Sequence, residues 1–232
     1  MKVSVIIPTL NEARRITALV SFMVQQAGNH LLEILVVDAA GSTDDIRAAL
    51  GGIDPVRVIK CQATSRAMQM NEGARQAKGA LLYFVHADVY PPENYTDHIL
   101  EALSSNIDFG YFRYDFDSNR PLLRLNGYFT RFDGLFTGGG DQTFFISKAL
   151  FQEMGQFRED LVMMEDFDLF WRLRRKGYHY EILPPKAIVS ARKYKYNSYL
   201  RVNAVNLVTF TLFRCGFCQH RLKRFYKKAL RM

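Results

Sequence analysis

The fold is decided by residues 33–45, EILVVDAAGSTDD, in which a short apolar run ends at Asp38 and a glycine-containing turn follows. Three similar runs, KVSVIIP, PVRVIK and ALLYFVH, occur before and after it, and helical patterns over 12–27, 43–50 and 66–78 separate them. Short runs rich in β-branched and aromatic residues are typical of strands buried on both faces. Their alternation with helices predicts an α/β domain whose mainly parallel sheet is flanked by helices.

Acidic residues stand next to such runs at three places. Asp38 closes EILVVD, Asp88 follows LLYFVHA, and Glu165 and Asp166 open a predicted helix. The carboxyl ends of strands in an open α/β sheet form the edge at which ligands bind. Several carboxylates there suit a divalent cation that holds phosphate oxygens, with one carboxylate left as a base. Two of the three positions also have a structural explanation, since Asp38 can cap its turn and Glu165 and Asp166 can stabilise a helix dipole.

The charge is unevenly distributed along the chain. The 31 basic and 23 acidic residues give a net charge of +8, but every acidic residue lies at or before Glu181. Residues 182–232 contain 12 of the basic residues. We therefore expect a mildly acidic domain over residues 1–190 and a basic helical appendage over residues 191–232.

Residues 217–230 have the pattern of a basic amphipathic helix. One face would carry Leu222, Phe225, Tyr226 and Ala229, and basic side chains would cover most of the opposite face. Such a helix can lie on an anionic membrane surface. Alternatively, it packs on the body of the protein or on a second subunit.

Several features indicate a cytoplasmic location. The first residues, MKVSVIIPTLNE, have the pattern of a strand and a turn and not that of a secretory signal. The longest uncharged stretch of the basic region, 202–213, has 12 residues, whereas a membrane span needs about 20. Three cysteines, an odd number, fit a reducing compartment better than a disulfide framework. If the basic helix binds lipid, the protein is expected at the inner face of the membrane.

Five motifs together resemble a known family. They are VSVIIPTLNE, VVDAAGSTDD, SRAMQMNEGARQAKG, LLYFVHAD and MMEDFDLFWRLRRKG, which occur in this order and with family-like spacing over residues 3–177. In these motifs the chain resembles the family-2 inverting glycosyltransferases, which have the GT-A fold. It is most similar to a bacterial subgroup that has HAD in place of the usual DxD motif and that carries a GDQ element.

The resemblance implies a binding site for a nucleoside diphosphate sugar. Asp38 would hold the base, and Arg66 and Asn71 would face the ribose and the diphosphate. The full set implied for the donor is Pro8, Thr9, Asn11, Glu12, Asp38, Arg66, Asn71, His86, Ala87 and Asp88. The guanidinium fork of Arg66 matches phosphate geometry, although a solvated arginine at a helix start is also common.

The resemblance also implies a metal cofactor, Mn²⁺ or Mg²⁺. Asp88 matches the last acid of the DxD motif, which ligates the cation that bridges the diphosphate. His86 replaces the first acid, and imidazole suits Mn²⁺ better than Mg²⁺. A hydrogen-bonded histidine at the end of a strand is the alternative for His86.

The catalytic base is implied to be Asp166, with Glu165 beside it in the ED motif. An inverting transfer needs a carboxylate that takes the proton of the acceptor hydroxyl as its oxygen attacks the anomeric carbon. Asp141 is the second choice of base, and Gly140, Asp141 and Gln142 would contact the acceptor. The QxxRW motif of processive synthases is absent, which favours the addition of a single sugar.

These implications define the expected function: metal-assisted transfer of one sugar to a lipid-linked or small hydroxyl acceptor, with no nucleic acid as partner. One alternative is a nucleotidyltransferase, although PTLNEARR does not supply the glycine- and lysine-rich loop such enzymes need, and GxGxxG and GxxxxGK[ST] are absent. A second alternative is an RNA-binding protein that uses the basic tail, although the tail has no RNP signature or helix-turn-helix pattern.

Overall fold

The computed structural model describes residues 1–134 and 136–230. Its strands are β1 Val3–Thr9, β2 Leu31–Asp38, β3 Val56–Lys60, β4 Leu81–Phe84, β5 Val89–Tyr90, β6 Phe109–Phe116, β7 Phe144–Ser147 and β8 Tyr180–Val189. Its helices are α1 Ala13–Gln25, α2 Ile46–Leu50, α3 Arg66–Gln76, α4 Tyr95–Ser104, α5 Pro121–Phe129, α6 Lys148–Glu153, α7 Glu165–Arg175, α8 Lys193–Tyr196, α9 Tyr199–Arg214 and α10 Gln219–Ala229.

The strands within the described residues form one sheet in the order β3-β2-β1-β4-β7-β6-β8-β5. The predicted parallel arrangement is confirmed for β1 to β4, with Thr9 opposite Asp38 and Asp38 opposite Lys60. The other half is mixed, because β7 lies antiparallel between β4 and β6, and β8 is parallel to β6 but antiparallel to β5. The α/β fold class is therefore confirmed, with a sheet less uniformly parallel than the sequence predicts.

Helix α2 is shorter than the helix predicted over 43–50. The carboxylate of Asp45 accepts a hydrogen bond from the backbone N–H of Ala48 at 2.9 Å, so Asp45 caps the helix and α2 begins at Ile46. Thr43 lies outside the helix because its N–H donates to the side chain of Asn11. The loop before α2 is thus held by the loop after β1.

Each face of the sheet has its own apolar layer. On β1, Ile7 packs with α1 and α4, whereas Ile6 faces the side that carries α3, α6 and α7. Helix α7 presents Leu169, Phe170 and Leu173 to this second layer, and all three are buried, as the sequence predicts. Each such side chain contributes about 2 kcal/mol to the stability of the fold. This packing fixes the start of α7 at the sheet.

The C-terminal helices pack on the body of the protein. Leu230, which follows α10, is buried together with Leu123 of α5, Tyr194 of α8 and Val202 of α9. Leu222 of α10 is also fully buried, so part of the apolar face predicted for the basic helix is directed at the protein. No helix within the described ranges is long and apolar enough to cross a membrane.

Candidate active site

The loops after β1 and β2 are joined by hydrogen bonds. Asn11 has a left-handed conformation (φ 58°), which asparagine tolerates better than most residues. Its side-chain oxygen accepts from the backbone N–H of Thr43 at 2.7 Å. Asp44 accepts from the backbone N–H of Ala13 at 2.7 Å and from the hydroxyl of Ser42 at 2.9 Å. The two loops therefore form one rigid segment at the carboxyl edge of the sheet.

Asp38 lies at this edge and is only 2% exposed. Lys60, opposite it on β3, donates from Nζ to its Oδ2 at 2.7 Å, and Thr9 donates from Oγ1 to its Oδ1 at 3.5 Å. The same carboxylate lines a cleft of about 300 Å³, which is also bordered by Asp44 and Arg47. The turn that follows Asp38 is held by Asn11 and Asp44. The buried charge of Asp38 is paired with Lys60.

His86, Gly140 and Asp166 meet at one point. A Cβ atom on Gly140 would lie 2.6 Å from Nε2 of His86 and 2.8 Å from Oδ2 of Asp166, closer than real Cβ contacts allow. The imidazole and the carboxylate are therefore no farther apart than the sum of these two distances. Ala87, which is half-buried, separates His86 from Asp88 along the chain. The residues after β4 and the start of α7 thus line a single space.

The imidazole of His86 is neutral at physiological pH. Burial, followed by the positive charge of Arg66, lowers the pKa of His86 to about 4. The negative charges of Asp88 and Asp141 oppose this shift but are smaller effects. A neutral imidazole has a nitrogen lone pair that can accept a proton, a hydrogen bond or a metal ion.

Glu165 and Asp166 have different environments although they are neighbours. Glu165 is fully buried, and Nε of Arg66 donates to its Oε1 at 2.8 Å. Its other oxygen, Oε2, has no hydrogen-bond partner among the described residues. Burial, and then the charge of Glu165, raises the pKa of Asp166 to about 8, against the opposing effect of Arg66. Asp166 therefore exchanges its proton near neutral pH, where a general base is most effective.

Two cations that lie three and four residues after the end of β8 complete the site. Arg192 bridges two carboxylates, with Nη1 3.1 Å from Oε1 of Glu12 and Nη2 3.1 Å from Oδ2 of Asp88. Nζ of Lys193 lies 3.9 Å from Oδ2 of Asp141. Burial alone would raise the pKa of Asp141, but Lys193 and neighbouring cations outweigh it and hold that pKa below its ordinary value. Asp141 is thus ionised at neutral pH and is a weaker base than Asp166.

The backbone fixes these cations at the site. The N–H of Ser190 donates to the carbonyl oxygen of Asp88 at 3.1 Å, and the N–H of Ala191 donates to Oδ1 of Asp117 at 2.6 Å. Sequence reasoning placed residues 191–232 in the appendage and missed Arg192 and Lys193. Their position two and three residues after the strand-like run KAIVS could have indicated their role.

Two predicted site residues have their side chains engaged inside the protein. The side-chain amide of Asn71 accepts from the N–H of Phe157 at 3.1 Å and donates to its carbonyl oxygen at 2.9 Å. The side chain of Gln142 accepts from the N–H of Gly138 at 2.8 Å and donates to the carbonyl oxygen of Thr130 at 3.4 Å. Both amides shape the loops around the site. Pro8 is buried within β1.

Asp38 lies apart from the other acids, as one end of an extended site. Only β1 separates β2 from β4 in the sheet. At about 4.8 Å per strand, Asp38 is on the order of 10 Å from the end of β4. This spacing suits a ligand with one end at Asp38 and the other near Asp88 and Asp166.

Comparison with protein families decides the identity. The model described as "Glycosyl transferase family 2" matches residues 4–182, which is more than half of the chain. The chain belongs to glycosyl transferase family 2. No curated relative matches this member of the family.

Solved structures confirm the GT-A fold of this member of glycosyl transferase family 2. The mannosyltransferase PcManGT from Pyrobaculum calidifontis, in complex with GDP-Man and Mn²⁺, is 17% identical with a TM-score of 0.68. The match covers 92% of this chain but only 64% of PcManGT. TarS 1–349 from S. aureus, in complex with UDP-GlcNAc, is 18% identical with a TM-score of 0.67, over 99% of this chain and 72% of TarS.

The contact between Gly140, His86 and Asp166 yields a test in this member of the family. We expect Gly140→Ala to lower the rate of sugar transfer by about 100-fold, because the added methyl group displaces the imidazole or the carboxylate by a fraction of an ångström or more. Gly134→Ala is the matched control, since its Cβ atom would meet nothing within 4 Å. Release of nucleoside diphosphate measures both rates. Equal rates in the two variants would show that the three residues do not form the reacting point.

Proposed function

We propose that the protein transfers one sugar from a nucleoside diphosphate sugar to an acceptor hydroxyl, with inversion at the anomeric carbon. The observation that carries this proposal is the meeting of Asp166 and His86 at Gly140, beside the ion pair of Asp88 with Arg192. A carboxylate with a pKa near 8 thus borders a space that also contains cations able to hold a diphosphate. Proton removal and leaving-group stabilisation are both available there.

The donor would extend along the carboxyl edge of the sheet. Its nucleoside would lie near Asp38 and the joined loops that contain Thr9 and Asn11. Its diphosphate would lie near Arg192 and Lys193, whose charges face the site and balance those of the surrounding acids. Two structures of the same fold, one with GDP-Man and one with UDP-GlcNAc, support a nucleotide sugar as the donor.

The residues fit a divalent cation that arrives with the diphosphate. No group of three or more His, Cys, Asp and Glu side chains in the described part of the chain is arranged to hold a metal ion alone. Asp88 and the neutral imidazole of His86 would supply two ligands, and phosphate oxygens would supply others. Such a cation would neutralise charge that develops on the departing diphosphate. The imidazole favours Mn²⁺ over Mg²⁺, and Mn²⁺ is the ion in the PcManGT complex.

The residues of the chain then perform the transfer. Asp166 takes the proton of the acceptor hydroxyl, whose oxygen forms the new bond to the anomeric carbon. The bond from that carbon to the phosphate oxygen breaks on the opposite face, and the electron pair leaves with the nucleoside diphosphate. Arg192 and Lys193 stabilise this anion, and Arg66 holds Glu165 and so the start of α7. Asp141, kept ionised by Lys193, would orient the acceptor.

Product analysis tests this proposal against its alternatives. The protein would be screened by thermal shift with UDP-, GDP- and dTDP-sugars in the presence of Mn²⁺, since a bound donor stabilises the fold by mass action. Released nucleoside diphosphate together with an inverted anomeric configuration in the product supports the proposal. Released pyrophosphate would support nucleotidyl transfer, and salt-sensitive RNA binding that survives in Asp38 and Asp88 variants would support the RNA-binding alternative.

The metal assignment has its own test. We expect EDTA to abolish transfer and Asp88→Asn to weaken activation by Mn²⁺ by at least about tenfold, because the variant loses an anionic ligand. Asp97→Asn, a half-exposed aspartate of α4, is the control and should behave as the wild type. A second measurement does not depend on activity: it is the Mn²⁺ concentration needed to raise the melting temperature in the presence of the nucleoside diphosphate. Full activity in EDTA would remove the metal from the mechanism.

A further inference from the structure

Helix α5 exposes an apolar stripe to solvent. Four members lie on the helix and the fifth lies three residues after its end, and each is about half exposed: Leu122 49%, Leu125 52%, Tyr128 48%, Phe129 58% and Phe132 53%. We call these five residues the α5 face. The opposite side of the helix is packed, because Leu123 is buried against the C-terminal helices and Gly127 lies against Asp115. One side of the helix therefore packs on the protein, and the other side faces solvent.

The aromatic members of the α5 face touch one another. The ring centroids of Tyr128 and Phe129 are 5.6 Å apart, those of Tyr128 and Phe132 are 5.9 Å apart, and those of Phe129 and Phe132 are 6.4 Å apart. The three exposed aromatic side chains are thus a contiguous patch and not isolated surface residues. Contiguous exposed apolar patches of this kind mark interaction surfaces.

The charges around the patch are mostly positive, and the acid that follows it, Asp133, pairs with Arg174 at 3.5 Å. Residues 118–132 contain Arg120, Arg124 and Arg131 and no acidic residue. Arg124 is exposed, and the guanidinium of Arg131 lies 4.0 Å from the ring centroid of Tyr128. The basic region after residue 181 likewise contains no acid. Aromatic and aliphatic side chains flanked by arginines are the combination that binds the interface of an anionic bilayer.

The α5 face is connected to the candidate active site. Thr130, which follows α5, accepts through its carbonyl oxygen a hydrogen bond from the side chain of Gln142. Its hydroxyl also donates to the carbonyl oxygen of Tyr114 at 3.0 Å. Gln142 follows Asp141 directly, so the segment that exposes the patch is attached to the loop that borders Asp166. A surface bound to the patch would lie on the acceptor side of the site.

We propose that the α5 face docks on the surface of an anionic phospholipid bilayer and thereby brings the hydroxyl of a lipid-linked acceptor to Asp166. The acceptor part of this inference rests on the proposed function, whereas the docking does not. It assigns the membrane contact to α5 and gives the basic helix α10 a different role. Leu222 of α10 is fully buried, so α10 contributes positive charge near the bilayer more than apolar insertion.

Vesicle binding tests the docking. We expect the wild type to float with vesicles of phosphatidylcholine and phosphatidylglycerol, and less with phosphatidylcholine alone. The double variant Phe129→Ser, Phe132→Ser should reduce partition by about tenfold. Phe225→Ser, at an exposed phenylalanine of α10 (39%), is the matched control and should keep wild-type partition. The double variant Arg124→Gln, Arg131→Gln should weaken the preference for the anionic vesicles, by about fivefold for each charge.

Three outcomes would overturn the docking. The first is a wild type that does not bind the anionic vesicles. The second is a loss of binding in Phe225→Ser with none in the α5 double variant, which would assign the contact to the tail. The third is a dimer, detected by sedimentation without vesicles, that the α5 double variant dissociates, because the face would then join two copies of the chain.

The failure of the docking proposal can be distinguished from the failure of the proposed function. The thermal shift given by UDP-, GDP- or dTDP-sugars with Mn²⁺ should be unchanged in the α5 double variant, because none of its residues lines the donor site. Absent vesicle binding with an intact nucleotide-sugar shift rejects only the docking. Intact vesicle binding with no shift from any of these sugars rejects only the proposed function.

Discussion

Replacement of Asp166 by asparagine should lower the rate of sugar transfer by about a thousandfold, since the side chain that accepts the hydroxyl proton is lost while its shape is kept. The wild-type kcat/KM should rise with pH and level off above about pH 8, the pKa to which burial and the charge of Glu165 raise Asp166. Arg66 and Asp141 also act on this carboxylate. Initial rates between pH 5 and pH 9 provide the measurement.

The same substitution should stabilise the fold at alkaline pH. The pKa of Asp166 is above its ordinary value, so between about pH 4 and pH 8 the folded state binds more protons than the unfolded state. The unfolding free energy of the wild type therefore falls as the pH rises through this window, and asparagine removes that loss. Urea unfolding should show a gain of about 1–3 kcal/mol at pH 8.5 and little at pH 4.

Asp160→Asn provides the control for both measurements. Asp160 is exposed, pairs with Arg158, and precedes Asp166 in the same part of the chain. Its replacement should change neither the rate nor the pH dependence of stability. A wild-type transfer rate in Asp166→Asn would refute its role as base and would favour Asp141.

Replacement of Arg66 by methionine should destabilise the protein by about 2–3 kcal/mol at pH 7. Glu165 is fully buried, and Arg66 is the one side chain among the described residues that donates a hydrogen bond to it. Removal of one partner leaves a buried charge without compensation. The half-exposed position of Arg66 lowers the cost below that of a fully buried pair. Urea unfolding gives the change in free energy.

The variants Glu165→Gln and Arg66→Met, Glu165→Gln complete a double-mutant cycle. The double variant should be more stable than Arg66→Met alone, because no buried charge remains. Arg57→Met is the matched control: Arg57 has similar exposure and pairs with buried Glu33 at 3.7 Å, but Glu33 retains hydrogen bonds from Ser4 and Lys78. If Arg57→Met cost as much as Arg66→Met, the missing partner of Glu165 would not explain the loss.

The sequence by itself determined the alternation of strands and helices in the first part of the fold. The runs that became β1 to β4, and the apolar face of α7 with Leu169, Phe170 and Leu173, follow from local periodicity and were predicted. The sequence also predicted that Asp88 follows a strand and that Asp166 lies at the start of a helix. The carboxyl ends of parallel strands share one edge of the sheet, so a site at that edge could be expected. Five ordered motifs then indicated the family that the comparison established.

Only the tertiary structure decided which distant segments meet. Strand β8 pairs with β5, which follows Asp88, and this pairing places Arg192 and Lys193 at the site. In the sequence these two residues are only part of a basic tail. Leu222 is likewise buried, which turns part of the predicted amphipathic face of α10 inward, whereas α5 exposes an apolar face that was not predicted from the sequence. Hydrophobic periodicity is a property of neighbouring residues, whereas strand partners and helix contacts depend on the competition for the same buried surface across the whole chain.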